Sequence, residues 1–162
     1  MRKKVLTAIL SMVFAVIFFT GTAQATVVTF PDENLERAIR NALNKPTGDI
    51  TAADMESLTW FYAHGLGIEN ISGLEHAINL DYLSLSENQI TDISALSNLT
   101  NLTKLWLYGN QITNISPLSN LTELTELYLY KNQISDISPL SNLIGLTAVS
   151  YTHLTLPTKR IV

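Results

Sequence analysis

The chain has 162 residues, 46% of them apolar and 15% charged, with ten basic and fourteen acidic side chains and no cysteine. That length suits one domain with extra terminal segments. The missing thiol excludes disulfides, thiolate zinc sites and cysteine nucleophiles together. Three of the ten cations, Arg2, Lys3 and Lys4, crowd the N-terminus. The remainder is acidic and has no Lys or Arg cluster of the kind that binds nucleic acid.

Residues 1–25 read as an export signal. Arg2-Lys3-Lys4 precedes an apolar run from Val5 to Phe19 whose only polar members are Thr7 and Ser11, and Ala23-Gln24-Ala25 supplies a small-residue end. Basic start, short apolar run and A-x-A ending are the parts of a secretory signal peptide. As a helix the run rises about 22 Å, short of the ~30 Å hydrocarbon core. Cleavage is expected after Ala25, with the membrane involved only during export. An exported chain without cysteine fits a Gram-positive surface better than an oxidising compartment.

Residues 26–57 carry two helical signals. Leu35, Ala38, Ile39, Ala42 and Leu43 follow the i, i+3, i+4, i+7, i+8 spacing of an amphipathic helix beginning near Pro31-Asp32. Lys45-Pro46-Thr47-Gly48 ends it. Thr51-Ala52-Ala53-Asp54 has the form of a capping box opening a second short helix.

From Leu58 a period of twenty-two residues takes over. LDYLSLSENQITDISALSNLTN starts at Leu80, LTKLWLYGNQITNISPLSNLTE at Leu102 and LTELYLYKNQISDISPLSNLIG at Leu124. A weaker copy starts at Leu58, and a fifth opens at Leu146 and stops early. The wording L-x-x-L-x-L-x-x-N-x-I matches a leucine-rich repeat. The tail Ile90, Ile93, Leu96, Leu99 keeps the spacing of three that belongs to a 3₁₀ turn. Each unit therefore reads as a short strand, an asparagine turn and a 3₁₀ return. Residues 58–148 are expected to form about four repeats and the start of a fifth. Residues 26–57 are expected to cap them, since a first repeat otherwise exposes an apolar side. The fold class is an α/β leucine-rich-repeat solenoid with a parallel concave sheet, 3₁₀ returns and an N-terminal helical cap.

These repeats resemble the internalin-type leucine-rich repeats of Gram-positive surface proteins, which share the twenty-two-residue unit and its NQI-x-DISPL-x-NL wording. The resemblance runs from about Val28 to Ala148. It implies a helical cap before the repeats and a scaffold that serves many partners.

The last fourteen residues, VSYTHLTLPTKRIV, abandon the repeat wording. They resemble the in-frame translation of a transposase sequencing adapter. Residues 149–162 are accordingly expected to lie outside the natural reading frame, which would continue past Ala148. No role is given to Tyr151, His153 or the Leu156-Pro157-Thr158-Lys159 string, which lacks the wording of a sortase signal.

Repeat positions divide into scaffold and surface. The asparagines Asn88, Asn110 and Asn132 form a structural ladder whose amides can serve buried backbone groups. Asn70, Asp92, Asn114 and Asp136 form a second polar column. Units ~4.8 Å apart do not converge their oxygens within the ~2.5 Å that calcium requires. Capping the 3₁₀ start is the reading preferred, with no metal and no cofactor expected.

By strand alternation the third, fifth and seventh places of each unit face outward on the concave side. They read Trp60, Tyr82, Lys104, Glu126, then Tyr62, Ser84, Trp106, Tyr128, then His64, Ser86, Tyr108, Tyr130. Both tryptophans of the chain and five of its six tyrosines stand there. Strand preference alone would also bring Val, Ile and Thr, and none occurs. Trp and Tyr at this density mark a recognition surface. The candidate ligand-binding residues are Trp60, Tyr62, His64, Tyr82, Lys104, Trp106, Tyr108, Glu126, Tyr128 and Tyr130.

The function expected is that of a secreted or cell-surface module that binds a protein ligand on this face, with no catalytic residues. Outside the tail only His64 and His76 are histidines, and no phosphate loop or nucleophile elbow occurs. The alternatives are a targeting arm of a larger exported enzyme and a carbohydrate-binding surface protein. N-terminal sequencing of the exported product should begin Thr26-Val27-Val28; an intact Met1 on that product would overturn the signal reading.

Overall fold

The computed structural model describes residues 25–150. Almost all of the expected signal peptide and most of the anomalous tail lie outside the described residues.

Two helices come first. Helix α1, Glu33–Ala42, buries Leu35 and Ile39. Its N-cap is Asp32, whose Oδ1 accepts from the backbone N–H groups of Asn34 and Leu35 at 2.9 and 3.0 Å. Acidic Glu33 and Glu36 in the first turn and Arg40 in the last suit the helix dipole. Helix α2, Ala52–Glu56, opens with the capping box read from Thr51 and Asp54 and buries Met55. A strand-like pairing ties the start of the domain to this region: Val28 N–H donates to the Ile50 carbonyl, and Ala52 N–H to that of Thr26, both at 2.8 Å.

Five three-residue strands follow: β1 Trp60–Tyr62, β2 Tyr82–Ser84, β3 Lys104–Trp106, β4 Glu126–Tyr128 and β5 Ala148–Ser150. They form one parallel sheet in sequence order. Each residue pairs with the one twenty-two places on, so Trp60, Tyr82, Lys104, Glu126 and Ala148 share a row. The returns are 3₁₀ turns, Leu74–His76, Ser94–Leu96, Ser116–Leu118 and Ser138–Asn142. Asp92, Asn114 and Asp136 each accept through Oδ1 from the N–H of the serine that opens the next turn, at 2.8 to 2.9 Å. These side chains thus serve the first N–H of each turn from one residue before the N-cap; the N-caps themselves, Ile93, Ile115 and Ile137, make no side-chain cap bond. The first copy departs from the pattern. Asn70 makes the same bond to Ser72, but the 3₁₀ turn starts two residues later, after Gly73 with φ +102°. A Cβ on Gly73 would come within 2.6 Å of the Phe30 ring, so glycine admits the N-terminal arm against the first repeat.

Apolar burial drives the stacking. In the copy from Leu80, the side chains of Leu80, Leu83, Leu85, Ile90, Ile93, Leu96 and Leu99 are all buried. Each contributes about 1.5–3 kcal/mol relative to exposure. Cover thins toward β5, where Ile134, Leu140 and Leu146 are only partly buried. Val149, in the row of buried Leu83, Leu105 and Leu127, is 39% exposed. That strand forms through backbone pairing with β4, which asks little of the side chains.

Burial alone would let one unit slide on the next; the asparagines hold register. Asn88 accepts through Oδ1 from the N–H groups of Leu66 and Ile68. Its Nδ2 donates to the carbonyls of Ala63 and Leu85, both at 2.8 Å. Asn110 joins Ile90, Leu85 and Leu107 in the same way, and Asn132 joins Ile112, Leu107 and Leu129. Every amide reaches back one repeat. Leu66, where the first copy has no asparagine, needs no such amide because no earlier repeat stands behind it.

Asp32 performs a parallel service for the cap. Its Oδ2 accepts from the N–H groups of Glu69 and Asn70 at 2.8 and 3.1 Å, fastening α1 to the first repeat. Burial pushes its pKa up, but four backbone donors outweigh that and hold the carboxyl below its ordinary range.

These bonds make the fold testable at two places. Replacing Asn110 with Ala strands one buried N–H and two buried carbonyls, and should cost about 3 kcal/mol in urea unfolding; an unchanged midpoint would mean water or neighbours serve those groups. Lys45 hydrogen-bonds Asp54 at 2.7 Å, and this contact with the Thr51 donors lowers the Asp54 pKa from 3.8 to about 2. A depressed carboxylate stabilises the fold fully above its unfolded pKa, and that stability is lost as pH falls through the folded value. D54N should therefore lose stability at neutral pH and show a flatter decline from about pH 4 to about pH 2, measured by thermal unfolding across that range.

Candidate binding surface

Strand pleat sends Phe61, Leu83, Leu105 and Leu127 into the core and the residues on either side of each to the open face. There the aromatic side chains form a connected layer. Trp60 stacks near-parallel on Tyr62 along β1, with centroids 6.1 Å apart, and on Tyr82 of β2 at 5.6 Å. Tyr62 stacks on His64 at 5.9 Å. Trp106 meets Tyr82 on one side and Tyr128 on the other, nearly perpendicular to both, at 5.3 and 5.4 Å. Tyr108 and Tyr130 stack at 4.5 Å with planes 6° apart. A hollow of about 280 Å³ is lined by Trp106, Tyr108, Tyr128 and Tyr130.

Exposure is uneven across the layer. Trp60 and Tyr62 on β1 are 60% and 49% exposed. His64, Tyr82, Trp106, Tyr108, Tyr128 and Tyr130 are half-buried among one another. Burial raises the Tyr82 and Tyr108 hydroxyl pKa above the usual phenol value, and neighbouring tyrosines and Glu126 or Glu87 add to the effect.

The two charged members of the face pair with each other. Lys104 and Glu126 are neighbours in register on β3 and β4, with Nζ 2.6 Å from the carboxylate. This hydrogen bond raises the Lys104 pKa. A second pair, Lys131 and Glu87, lies 3.5 Å apart. Gly109, with φ +68°, makes room for Glu87: a Cβ there would come within 2.7 Å of its carboxyl carbon. Glu87 lies at the eighth place of its unit, which alternation alone does not assign to the face.

Ser84 and Ser86 behave unlike their columns. Alternation directs them outward, yet both are fully buried. On either side of Ser84 in its row stand Tyr62 and Trp106. His64 and Tyr108, from the repeats of β1 and β3, meet at 6.0 Å across the intervening unit. Large rings on both neighbours close over the small side chains. Length and aromaticity in the flanking repeats are the signals that could have announced this cover.

Among the described residues, no three His, Asp or Glu side chains assemble as a metal site, and no helix is long and apolar enough to cross a membrane.

The sheet, its one-unit register and the asparagine turns agree with what sequence comparison finds. A family profile described as Leucine Rich repeats (2 copies) matches residues 78–120 and 100–142. Internalin H of Listeria monocytogenes is 41% identical over 66 residues, 40% of this chain and 12% of that protein. The crystal structure of an internalin (inlF) from Listeria monocytogenes superposes with a TM-score of 0.70 and 38% identity, over 82% of this chain and 47% of that one. The repeats of this chain are of the internalin type. The functional domain of InlJ from the same organism gives a TM-score of 0.72 at 27% identity, over 83% of this chain and 32% of that domain. This chain therefore spans less than half the length of these internalin relatives. Leucine-rich-repeat domains of the internalin family are generally protein-interaction modules without enzymatic activity.

Proposed function

We propose that this internalin-type chain is an exported module that grips a protein ligand on the concave aromatic face. The observation that carries the reading is the continuous layer of Trp60, Tyr62, Tyr82, Trp106, Tyr108, Tyr128 and Tyr130 over the parallel sheet. Large aromatic side chains with polar tips bury much area at low entropic cost and dominate interface hot spots. Trp60 and Tyr62 supply the exposed anchors. The Lys104–Glu126 pair sits at the margin, where a partner's charges set specificity more than strength. Export is supported by the N-terminal signal wording, and backbone pairing of the folded domain begins at Thr26, just past the expected cleavage point.

A saccharide ligand is the second reading. The near-parallel rings of Trp60, Tyr62 and Tyr82, with planes 11° and 15° apart, favour it as a stacking platform.

A panel of purified extracellular protein domains and a glycan array, probed with the same protein, separates the two. The expected result is a protein ligand whose affinity falls at least tenfold in the Trp60→Ala, Tyr128→Ala double variant and is unchanged in Glu123→Gln. Binding to glycans alone, or a protein ligand indifferent to Trp60 and Tyr128, would overturn the proposal.

A further inference from the structure

The hollow on the repeats of β3 and β4, about 280 Å³ in volume, is lined by Trp106, Tyr108, Tyr128 and Tyr130 and by nothing else. The leucines between these residues, Leu107 and Leu129, are buried in the core. Among the described residues, therefore, neither an aliphatic side chain nor a carboxylate lines it. Pockets for apolar ligands mix aliphatic with aromatic walls; this one is made of rings alone. Trp106 meets Tyr128 nearly perpendicular at 5.4 Å, whereas Tyr108 and Tyr130 stack with planes 6° apart. The Trp106 Nε1 is buried, so the indole presents ring carbon to the hollow rather than its N–H. What a ligand meets is one indole and three phenols, all electron-rich, with phenol oxygens as acceptors.

The faces of such rings are negative and attract cations. The charge of the domain acts in the same direction. Of the ten basic side chains, Arg2, Lys3 and Lys4 stand at the N-terminus and Lys159 and Arg160 in the tail, whereas all fourteen acidic ones lie between Asp32 and Asp136. That imbalance draws cations from a distance and repels anions. Lys104 is held by Glu126, and Lys131 pairs with Glu87, so each lysine of the face has a compensating carboxylate. Burial is the main cause of the raised Tyr108 hydroxyl pKa, and Tyr130 and Glu87 add to it; the Glu87 contribution is that of a negative field, which a cation also favours.

The kind of cation follows from the lining. An ammonium is compact and strongly hydrated, and here it would shed water with no carboxylate in the wall to replace it. A guanidinium is planar and more weakly hydrated, stacks on aromatic faces and directs five N–H donors outward in its plane. We propose that this hollow is the subsite of the concave face that takes an arginine side chain of a protein ligand. The guanidinium lies against the rings, its N–H groups donate to phenol oxygens, and the methylene stem covers ring carbon at the mouth. This inference rests on the concave-face reading and names the ligand chemistry at one part of it.

The test uses the full exported protein and the probes Nα-acetyl-arginine methylamide and its citrulline counterpart, which keeps the shape and lacks the charge. Trp60→Phe leaves Trp106 as the one tryptophan of the protein and assigns its resonances. The arginine probe should shift them saturably, with the citrulline and Nα-acetyl-lysine probes weaker by about tenfold or more. Tyr108→Leu, Tyr130→Leu should weaken the arginine probe by a similar factor, and Tyr108→Phe, Tyr130→Phe, which keeps the rings, should restore most of the loss. No saturable shift, citrulline or lysine binding as tightly as arginine, or arginine binding that survives the leucine pair would each overturn the subsite. N-acetylglucosamine binding more tightly than the arginine probe would assign the hollow to a saccharide and overturn it as well. If Trp60→Ala weakens a protein ligand while excess arginine probe and the leucine pair leave that ligand's affinity unchanged, the subsite fails and the concave-face reading stands.

Discussion

Every repeat of this protein depends on a side-chain amide that does a backbone's work. Where the polypeptide leaves a strand, its N–H and C=O groups are pressed between the turn before and the turn after. Water cannot reach them, and ladder geometry has ended. Asn88, Asn110 and Asn132 each present a donor and an acceptor at the right reach and bond the preceding turn and their own strand end. Aspartate would offer no donor and leucine neither group. Because each amide reaches backward, the array has a direction: a new repeat completes its predecessor, and the first repeat can keep Leu66 at that place.

The N-terminal side is closed by different chemistry. Asp32 uses one oxygen to start α1 and the other to hold Glu69 and Asn70 of the first repeat. A single carboxylate thereby joins helix and solenoid, with its charge dispersed over four N–H groups. Phe30 lies against Gly73 and covers the side of the first repeat that a preceding unit would cover. The first 3₁₀ turn starts late for that reason. Its departure from the repeat follows from meeting a cap instead of a copy of itself.

On the opposite face the same regularity is put to another use. Strands ~4.8 Å apart with one-unit register bring the outward residues of successive repeats into rows. Rings placed in such rows must touch, and they assemble into a layer without any added framework. Serines in the repeat of β2 break the layer, so rings from the repeats on either side lean together over them. The scaffold is shared with internalins of Listeria monocytogenes, but a scaffold is indifferent to ligand. Recognition resides in which side chains fill the rows.

Much of this was legible in the order of residues alone. A period of twenty-two, leucines at alternating places and a spacing of three name strand, turn and 3₁₀ return, because each reflects the geometry of the backbone that must bury it. The capping box at Thr51 and Asp54 and the helix start at Asp32 were equally local and equally plain. Which residues face outward was legible too, since pleat alternates regularly over so short a strand. What the sequence could not state was how those outward residues meet one another. Ser84 and Ser86 are buried by rings from neighbouring repeats, Lys104 is neutralised by Glu126, and the second oxygen of Asp32 finds residues 37 and 38 places distant. Local periodicity determines the elements and their faces; only the tertiary structure decides which side chains share a space, because that depends on distances between units that no single unit contains.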